Sequence, residues 1–275
     1  MVARVRTVLC FGDSNTYGAV PTLARVGRHR FAPERRWPGI LRKKLGAGWD
    51  VVEEGHPSRT TLRDDPIEGS HKNGLRGLPI ALESHMPLDL VILMLGTNDL
   101  KLRFAASPSD IADSLEVVAK AVLNSDAGPG GAAPAVMIIA PPPMKEVDWL
   151  AEMFVGGAAK SLEFGHRFAE VARRCGAAFL DAGAIVESST VDGIHLESES
   201  HRILGNAVAQ AVETLFPDGA AQARKVPTPK RLTTSSGIIA GQERSAASAR
   251  AHGGPGGRTT IQQTGVRSKK GGTKK

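Results

Sequence analysis

The sequence has few of the residues that would place it in several large classes of protein. Its 275 residues include two cysteines and one tyrosine, and no apolar run approaches the roughly 18 residues that a membrane-spanning helix needs. Cys10 and Cys175 cannot form a disulfide framework, and Cys10 lies in an apolar run typical of a core strand. The N-terminus also lacks the long apolar region of a secretory signal. We therefore expect a cytoplasmic protein without a membrane span.

Positive charge is spread unevenly along the chain. The sequence carries a net +7, but residues 219–275 hold twelve Lys or Arg against one acid, so residues 1–218 carry −4. The high isoelectric point therefore belongs to the C-terminal segment, which is too poor in apolar residues to fold. We predict one folded domain, 1–217, and a basic, disordered tail, 218–275. The tail lacks interleaved aromatic residues, which favours a solvated extension over nucleic-acid or membrane binding.

Short apolar runs alternate with helical patterns along residues 1–217. Each run is apolar on both faces, as in strands that helices cover from two sides. The pattern predicts an α/β protein, a three-layer α/β/α sandwich around a central parallel sheet of about five strands, with a flavodoxin-like architecture. The predicted strands are Val5–Phe11, Trp49–Val52, Leu88–Leu95, Val136–Ala140 and Ala177–Leu180. The predicted helices are Glu34–Leu45, Gly74–Ser84, Ser109–Leu123, Gly157–Cys175 and Ser198–Phe216, with Ser109 and Asp110 as N-cap candidates.

A small hydroxyl residue, Ser14, follows the first predicted strand in the sequence Gly12-Asp13-Ser14. Ligands of parallel α/β sheets bind beyond the carboxyl ends of the strands, so the Ser14 hydroxyl can face such a crevice. Ser and Asp are also good helix N-caps after a strand, and this motif alone favours capping. The segments that follow the other strands bear on the choice.

An acid and an imidazole follow the last predicted strand, in Asp192-Gly193-Ile194-His195. A serine nucleophile needs an imidazole to accept its proton and a carboxylate to orient that imidazole. One loop can present both groups at this spacing. The motif also occurs by chance, with Asp192 capping the next helix and His195 on the surface, and alone it leaves the two interpretations about even.

Hydrogen-bond donors for a developing oxyanion occur at two further strand ends. The third strand ends in the segment 95–99, where Asn98 carries a side-chain NH₂, and the second runs into the loop 54–61, which offers backbone N–H groups. Preorganised donors are usually the largest single contribution to acyl transfer. Each segment alone has an ordinary turn composition. Together, the four segments predict a serine nucleophile, its acid–base pair and its oxyanion donors at one edge of the sheet.

These four segments resemble the sequence blocks of the SGNH hydrolases, also called the GDSL esterase family. Longer stretches, including LDLVILMLGTNDLK and FAPERRWPGIL, are similar to its bacterial arylesterase/acyltransferase branch. The resemblance covers about residues 5–216. It implies a serine esterase that hydrolyses short-chain or aryl carboxylic esters through an acyl-enzyme, with acyl transfer to alcohols as a further activity. No metal or other cofactor is expected.

By this resemblance Ser14 is the nucleophile, His195 is the general base and acid, and Asp192 orients His195. The oxyanion donors would be the backbone N–H groups of Ser14 and Ser58 and the side chain of Asn98. Ser58 stands where the family usually has glycine, a change that keeps a backbone donor.

The residues implied to bind substrate depart from the family in two places. Asn15 replaces the leucine of the common GDSL motif and is expected to make the acyl pocket more polar, and Tyr17 replaces a tryptophan of close relatives. The other substrate-binding candidates are Asp13, Lys101, Phe154 and Ile194. The resemblance also implies a homo-oligomer whose subunits narrow each entrance. The connection 141–157 suits such an interface and packing on the chain's own core equally well.

Two other functions stay open. A carbohydrate O-acetylesterase uses the same chemistry, and Asn15 and Arg59 make the region polar enough to suit it. A flavodoxin-like sheet can also bind ligands without catalysis, although every catalytic position is present here. The expected partners are a small-molecule ester and a water or alcohol acceptor, with no nucleic acid and no membrane.

Overall fold

The structure, a computed structural model, describes residues 4–25 and 29–217. The described strands form one parallel sheet in the order β2-β1-β3-β4-β5, which confirms the predicted α/β sandwich. The strands are β1 (Arg6–Gly12), β2 (Trp49–Gly55), β3 (Leu90–Met94), β4 (Ala135–Ala140) and β5 (Ala178–Asp181). The α-helices are α1 (Ser14–Tyr17), α2 (Trp37–Leu45), α3 (Gly74–His85), α4 (Pro108–Leu123), α5 (Asp148–Met153), α6 (Gly157–Ser161), α7 (Phe164–Cys175) and α8 (Ser198–Leu215).

Side chains of the central strands alternate between two hydrophobic cores. Leu9 and Phe11 of β1 face the core formed with α3, α4 and α7, whereas Val8 and Cys10 face the core formed with α2 and α8. Successive strand residues point to opposite faces of a sheet, so a sheet covered on both sides needs apolar residues at every position. This explains the continuous apolar runs of the sequence.

Three of the predicted helices begin elsewhere or are divided, and two others, α3 and α8, end one residue from the predicted position. The N-cap of α4 is Ser107, whose Oγ accepts from the Asp110 N–H at 3.1 Å, while Asp110 Oδ2 accepts from the Ser107 N–H at 3.0 Å. This capping box places Pro108 at the first helical position. Helix α2 begins only at Trp37, after a 3₁₀ turn. The predicted helix 157–175 is broken into α6, which packs against the turn after β3, and α7, which packs on β4 and β5.

The sheet order creates a crevice at the carboxyl ends of its central strands. The chain adds β2 on one side of β1 and then crosses to β3 on the other, so β1 and β3 form the topological switch point at which such folds bind ligands. Ser14 follows β1 and Asn98 lies in the 3₁₀ turn after β3. Gly55, at the end of β2, allows close approach to α1, because a Cβ there would lie 2.1 Å from the Tyr17 nitrogen.

The predicted tail, 218–275, lies outside the described residues, so its proposed disorder stays a prediction. Among the helices that the structure describes, none is long and apolar enough to cross a membrane.

Candidate active site

Ser14, His195 and Asp192 form a continuous hydrogen-bonded relay. His195 Nε2 lies 3.0 Å from Ser14 Oγ, and His195 Nδ1 lies 2.7 Å from Asp192 Oδ2. Ser14 is the first residue of α1, and Asp13 caps this short helix by accepting the Asn15 N–H at 2.9 Å. The two roles that the sequence offered for this motif therefore fall on neighbouring residues: Asp13 caps the helix, and Ser14 presents its hydroxyl to the crevice. The geometry suits proton transfer from a hydroxyl to an imidazole that a carboxylate orients.

The Asp192 carboxylate is fully buried and accepts four hydrogen bonds. Oδ1 accepts from the N–H groups of Ile194, at 3.0 Å, and His195, at 2.9 Å, while Oδ2 accepts from the Thr22 N–H at 2.9 Å and from His195 Nδ1. Burial by itself raises the pKa of Asp192, but hydrogen bonds and charge from His195, with the Ile194 N–H, lower that pKa to about 2. The carboxylate is thus ionised at neutral pH. Asp192 does not cap the next helix, whose N-cap is Glu197.

Two backbone N–H groups lie free beside the relay. Within the described residues, neither the Ser14 N–H nor the Ser58 N–H has a hydrogen-bond acceptor, and both residues line the same cavity. Ser14 is buried and Ser58 is half-buried, and two donors without an acceptor at one cavity offer hydrogen bonds to an oxygen of a ligand. Ser58 adopts φ +65°, the left-handed conformation that glycine adopts most easily.

The amide of Asn98 completes the set of predicted donors, although it already has partners in this structure. Its Nδ2 donates to the Arg59 carbonyl at 3.1 Å and, over a longer 3.4 Å, to Asp13 Oδ2. Asn98 also lines the cavity. The longer bond to Asp13 is the weaker of the two.

The relay opens into a cavity of about 120 Å³ with one apolar and one polar side. Trp149 and Met153, together with the buried Leu150 and Phe154, form the apolar side, and Trp149 Nε1 donates to the Leu23 carbonyl at 3.0 Å. The connection 141–157 therefore packs on its own chain and lines the cavity. The predicted substrate-binding residues found in the lining are Tyr17, Lys101, Phe154 and Ile194.

Comparison with known proteins identifies the family. The sequence model of the GDSL-like lipase/acylhydrolase family matches residues 10–203. The chain belongs to this family. As a member, it is a carboxylic ester hydrolase, which confirms the predicted class of enzyme. A search of curated proteins gives no match.

Solved structures of esterases are similar over nearly the whole described part of this GDSL-family chain. The aryl esterase of M. smegmatis is 42% identical, with a TM-score of 0.73, over 77% of this chain and 100% of that one. A carbohydrate acetylesterase from Sinorhizobium meliloti is also 42% identical, with a TM-score of 0.74 and the same coverage. A putative arylesterase from Agrobacterium tumefaciens is 36% identical over 77% of this chain and 100% of that one, with a TM-score of 0.70.

Asn15, which replaces the leucine of the GDSL motif, does not line the cavity. Its side chain is 1% exposed, and its Nδ2 donates to the Ile194 carbonyl at 3.1 Å while its Oδ1 accepts the Leu196 N–H at 3.0 Å. The expectation that Asn15 makes the acyl pocket more polar is therefore wrong. Asn15 instead ties α1 to the loop that carries His195.

Asp13, also predicted to bind substrate, lies behind the cavity rather than in its lining. Its carboxyl is 2% exposed, and burial raises its pKa to about 6 despite the hydrogen bond from the Asn15 N–H and the nearby positive groups. Its contacts with Asn15 and Asn98 give it a structural place between α1 and the turn after β3. This corrects the prediction for Asp13.

The polar side of the cavity contains an ion cluster that sequence reasoning found only in part. Lys101 Nζ lies 2.6 Å from Glu68 Oε1 and 3.4 Å from Asp65 Oδ2, and Arg103 also contacts both acids. Burial raises the pKa of Glu68, but hydrogen bonds from Lys101 and from Ser58 outweigh it and lower that pKa. Lys101 was predicted from its motif, whereas Glu68 lies in a loop without any sequence signal. In the part of the chain described here, no cluster of His, Cys, Asp or Glu suits a metal ion.

Proposed function

We propose that Ser14 attacks the ester carbonyl while His195 accepts the Ser14 proton through Nε2. His195 then gives this proton to the departing alcohol, and the acyl group stays on Ser14 as an ester. Water or a second alcohol, deprotonated by His195, attacks the acyl-enzyme and restores the Ser14 hydroxyl. Asp192 holds the imidazole in the tautomer with hydrogen on Nδ1 and stabilises the imidazolium that forms.

One observation carries this proposal: the relay with distances of 3.0 Å and 2.7 Å opens into a cavity that also presents two free backbone donors. We assign the Ser14 and Ser58 N–H groups and Asn98 Nδ2 as the oxyanion donors. A single donor of this kind typically contributes about 3 kcal/mol to the stability of the transition state.

The proposed substrates are esters of short acids, for which a cavity of about 120 Å³ has room. An aryl leaving group suits the apolar side around Trp149 and Met153. A sugar leaving group suits the polar side, where Glu68 can accept a hydrogen bond from a sugar hydroxyl and Lys101 can donate one to it. The related esterases named for these two substrates are equally identical to this chain, so identity does not rank them. A binding module without catalysis lacks support, given the family.

Acyl transfer to alcohols and assembly into a homo-oligomer are further parts of the proposal. An apolar entrance limits the access of water and thereby favours alcohols as acceptors. Leu102, Val155 and Leu162 are exposed to 52%, 49% and 72%, and the proposed interface would bury them. A mass in solution equal to one chain would refute the oligomer. Cys10 and Cys175 are both unpaired, which suits the proposed cytoplasmic location.

Substrate panels on matched serine variants test the proposal. We expect Ser14→Ala to lower the kcat for nitrophenyl acetate by about 10⁴-fold or more, because among the described residues Ser14 is the hydroxyl hydrogen-bonded to His195 Nε2. Ser125→Ala is the control, since this hydroxyl lies just after α4 and donates to the Val122 carbonyl, and its kcat should stay unchanged. Rates on acetylated sugars and on aryl acetates, with and without added alcohol, separate the substrate classes. Turnover that survives in Ser14→Ala contradicts the assignment.

A further inference from the structure

Arg59 follows the proposed donor Ser58 and is buried at the carboxyl ends of the first two strands. Its residue is 7% exposed, and Nη1 donates to the Gly12 carbonyl at 2.9 Å and to the Glu54 carbonyl. Its Cζ atom lies 4.0 Å from the centroid of the Phe11 ring. The guanidinium therefore joins the end of β1, which leads into Ser14, to the end of β2, which leads into Ser58.

The backbone of Arg59 reaches the third proposed donor. The Arg59 carbonyl accepts from Asn98 Nδ2 at 3.1 Å, and the Arg59 N–H donates to the His56 carbonyl at 3.1 Å. The His56 N–H in turn donates to the Gly12 carbonyl at 3.0 Å. One residue thus contacts the segments that carry all three proposed oxyanion donors.

The partners of Arg59 differ from those of a buried residue that serves mainly as an ion pair. The carboxylate of Glu54 is 3.9 Å away and one-third exposed, and the close acceptors of the guanidinium are backbone carbonyls. Burial accordingly lowers the pKa of Arg59 to about 10. Arg36 is equally buried, yet its Nη1 lies 3.1 Å from Glu53 Oε2. Keeping a poorly neutralised guanidinium buried is costly, so its fixed contacts to the backbone need another reason.

We propose that Arg59 is a positioning residue that fixes the three oxyanion donors relative to one another, an inference that rests on the proposed function. Its side chain holds the β1 end against the turn at Ser58, and its carbonyl holds the amide of Asn98. Ser58, in its left-handed conformation, is then held by Arg59, the next residue, and by the hydrogen bond from its hydroxyl to Glu68. An oxyanion donor that moves by about 1 Å can cost about 10²-fold in rate.

Replacement of the guanidinium tests this inference. Arg59→Met keeps the unbranched stem of the side chain to about the position of Nε and removes the guanidinium. We expect it to lower kcat by about 10²-fold with KM changed less than about threefold, because donors aimed at the oxyanion act in the transition state. Arg59→Lys keeps the charge but not the planar fork, so its kcat should be intermediate. Arg36→Lys is the matched control and should lower the melting temperature without lowering kcat. The concentration of active sites is titrated from the initial burst of nitrophenol, and each rate is divided by it. Unfolded protein therefore does not lower the kcat.

Combining Arg59→Met with Asn98→Ala separates a positioning role of Arg59 from a general structural one. If Arg59 acts through the donors, Arg59→Met should cost much less in Asn98→Ala than in the parent chain, since one donor is already lost. Added guanidinium should also restore part of the kcat of Arg59→Ala. A kcat per site near that of the parent chain in Arg59→Met, or fully additive losses with Asn98→Ala, would overturn the inference. Turnover in Ser14→Ala would instead refute the proposed function itself.

Discussion

Asp192→Asn replaces one oxygen of the buried carboxylate by an NH₂ group and tests how the relay is held together. Asn Oδ1 can still accept from the N–H groups of Ile194 and His195. Its Nδ2 would face two donors, the Thr22 N–H and His195 Nδ1, which now bond to Oδ2 at 2.9 Å and 2.7 Å. The amide therefore loses the bond from the Thr22 N–H. It can bond to His195 Nδ1 only as a donor, which favours the imidazole tautomer with hydrogen on Nε2.

The size of the effect follows from the pKa of Asp192. Its fall from 3.8 to about 2 corresponds to about 2 kcal/mol of folding stability at neutral pH. The Thr22 N–H, left without an acceptor, raises the expected loss in the free energy of unfolding to about 2–4 kcal/mol. Because the folded pKa lies below the unfolded one, the contribution of the carboxylate is present above pH 4 and is lost as the pH falls toward 2. The deficit of the variant should therefore be full at pH 7 and shrink below pH 4.

Denaturant unfolding and ester turnover measure the two consequences separately. We expect kcat to fall by about 10³ to 10⁴-fold, through the wrong tautomer, at a KM close to that of the parent chain. Asp89→Asn is the control, because Asp89 Oδ2 accepts the Thr7 N–H at 2.8 Å and forms an ion pair with Arg4 outside the cavity. It should lose stability and keep kcat. A kcat for Asp192→Asn within about tenfold of the parent value would refute the reasoning.

Three further predictions concern the residues around the relay. Asp13→Asn should raise the free energy of unfolding by about 1–3 kcal/mol at pH 8, because burial raises the pKa of Asp13 to about 6 and makes the charged form costly. In denaturant titrations this gain should vanish as the pH falls from 6 toward 4, and a gain that grows on acidification would contradict the prediction. Gly55→Ala should lower kcat and the melting temperature, because the new Cβ meets the backbone of α1. Its control, Gly77→Ala in α3, has nothing within 4 Å of the new Cβ and should stabilise the protein by up to about 1 kcal/mol. Equal effects of the two changes would rule out the close approach. Asn15→Leu, which restores the usual motif, should cost about 1–3 kcal/mol and lower kcat, and an unchanged kcat would show that its two bonds to the His195 loop are dispensable.

Much of the sheet could be predicted because burial on both faces leaves a visible mark in the sequence. The exception is the second half of β2, where the apolar run ends at Val52 but the strand continues to Gly55. Glu53 is tolerated there because Arg36 and Arg42 neutralise its carboxylate at 3.1 Å and 2.8 Å. Such compensation comes from α2 and its approach, so the local sequence cannot reveal it.

The site was predictable where residues follow strands and hidden where loops return to it from a distance. Ser14 and Asn98 follow neighbouring strands, so parallel topology alone places them at one edge. Thr22 acts through its backbone N–H, which every residue type but proline carries, and Glu68 reaches the cavity from a loop without a motif. Asn15 was assigned to the wrong side of α1, because the direction of a side chain in one helical turn depends on the loop that packs on it.

Labelling by a fluorophosphonate, followed by mass mapping of the peptides, tests the central assignment most directly. The account predicts one adduct, on Ser14, with loss of turnover in proportion to labelling and a much slower reaction in His195→Ala, because the reagent reports an oxygen activated by that imidazole. An adduct on another residue, or full turnover after Ser14 has been labelled, would contradict it.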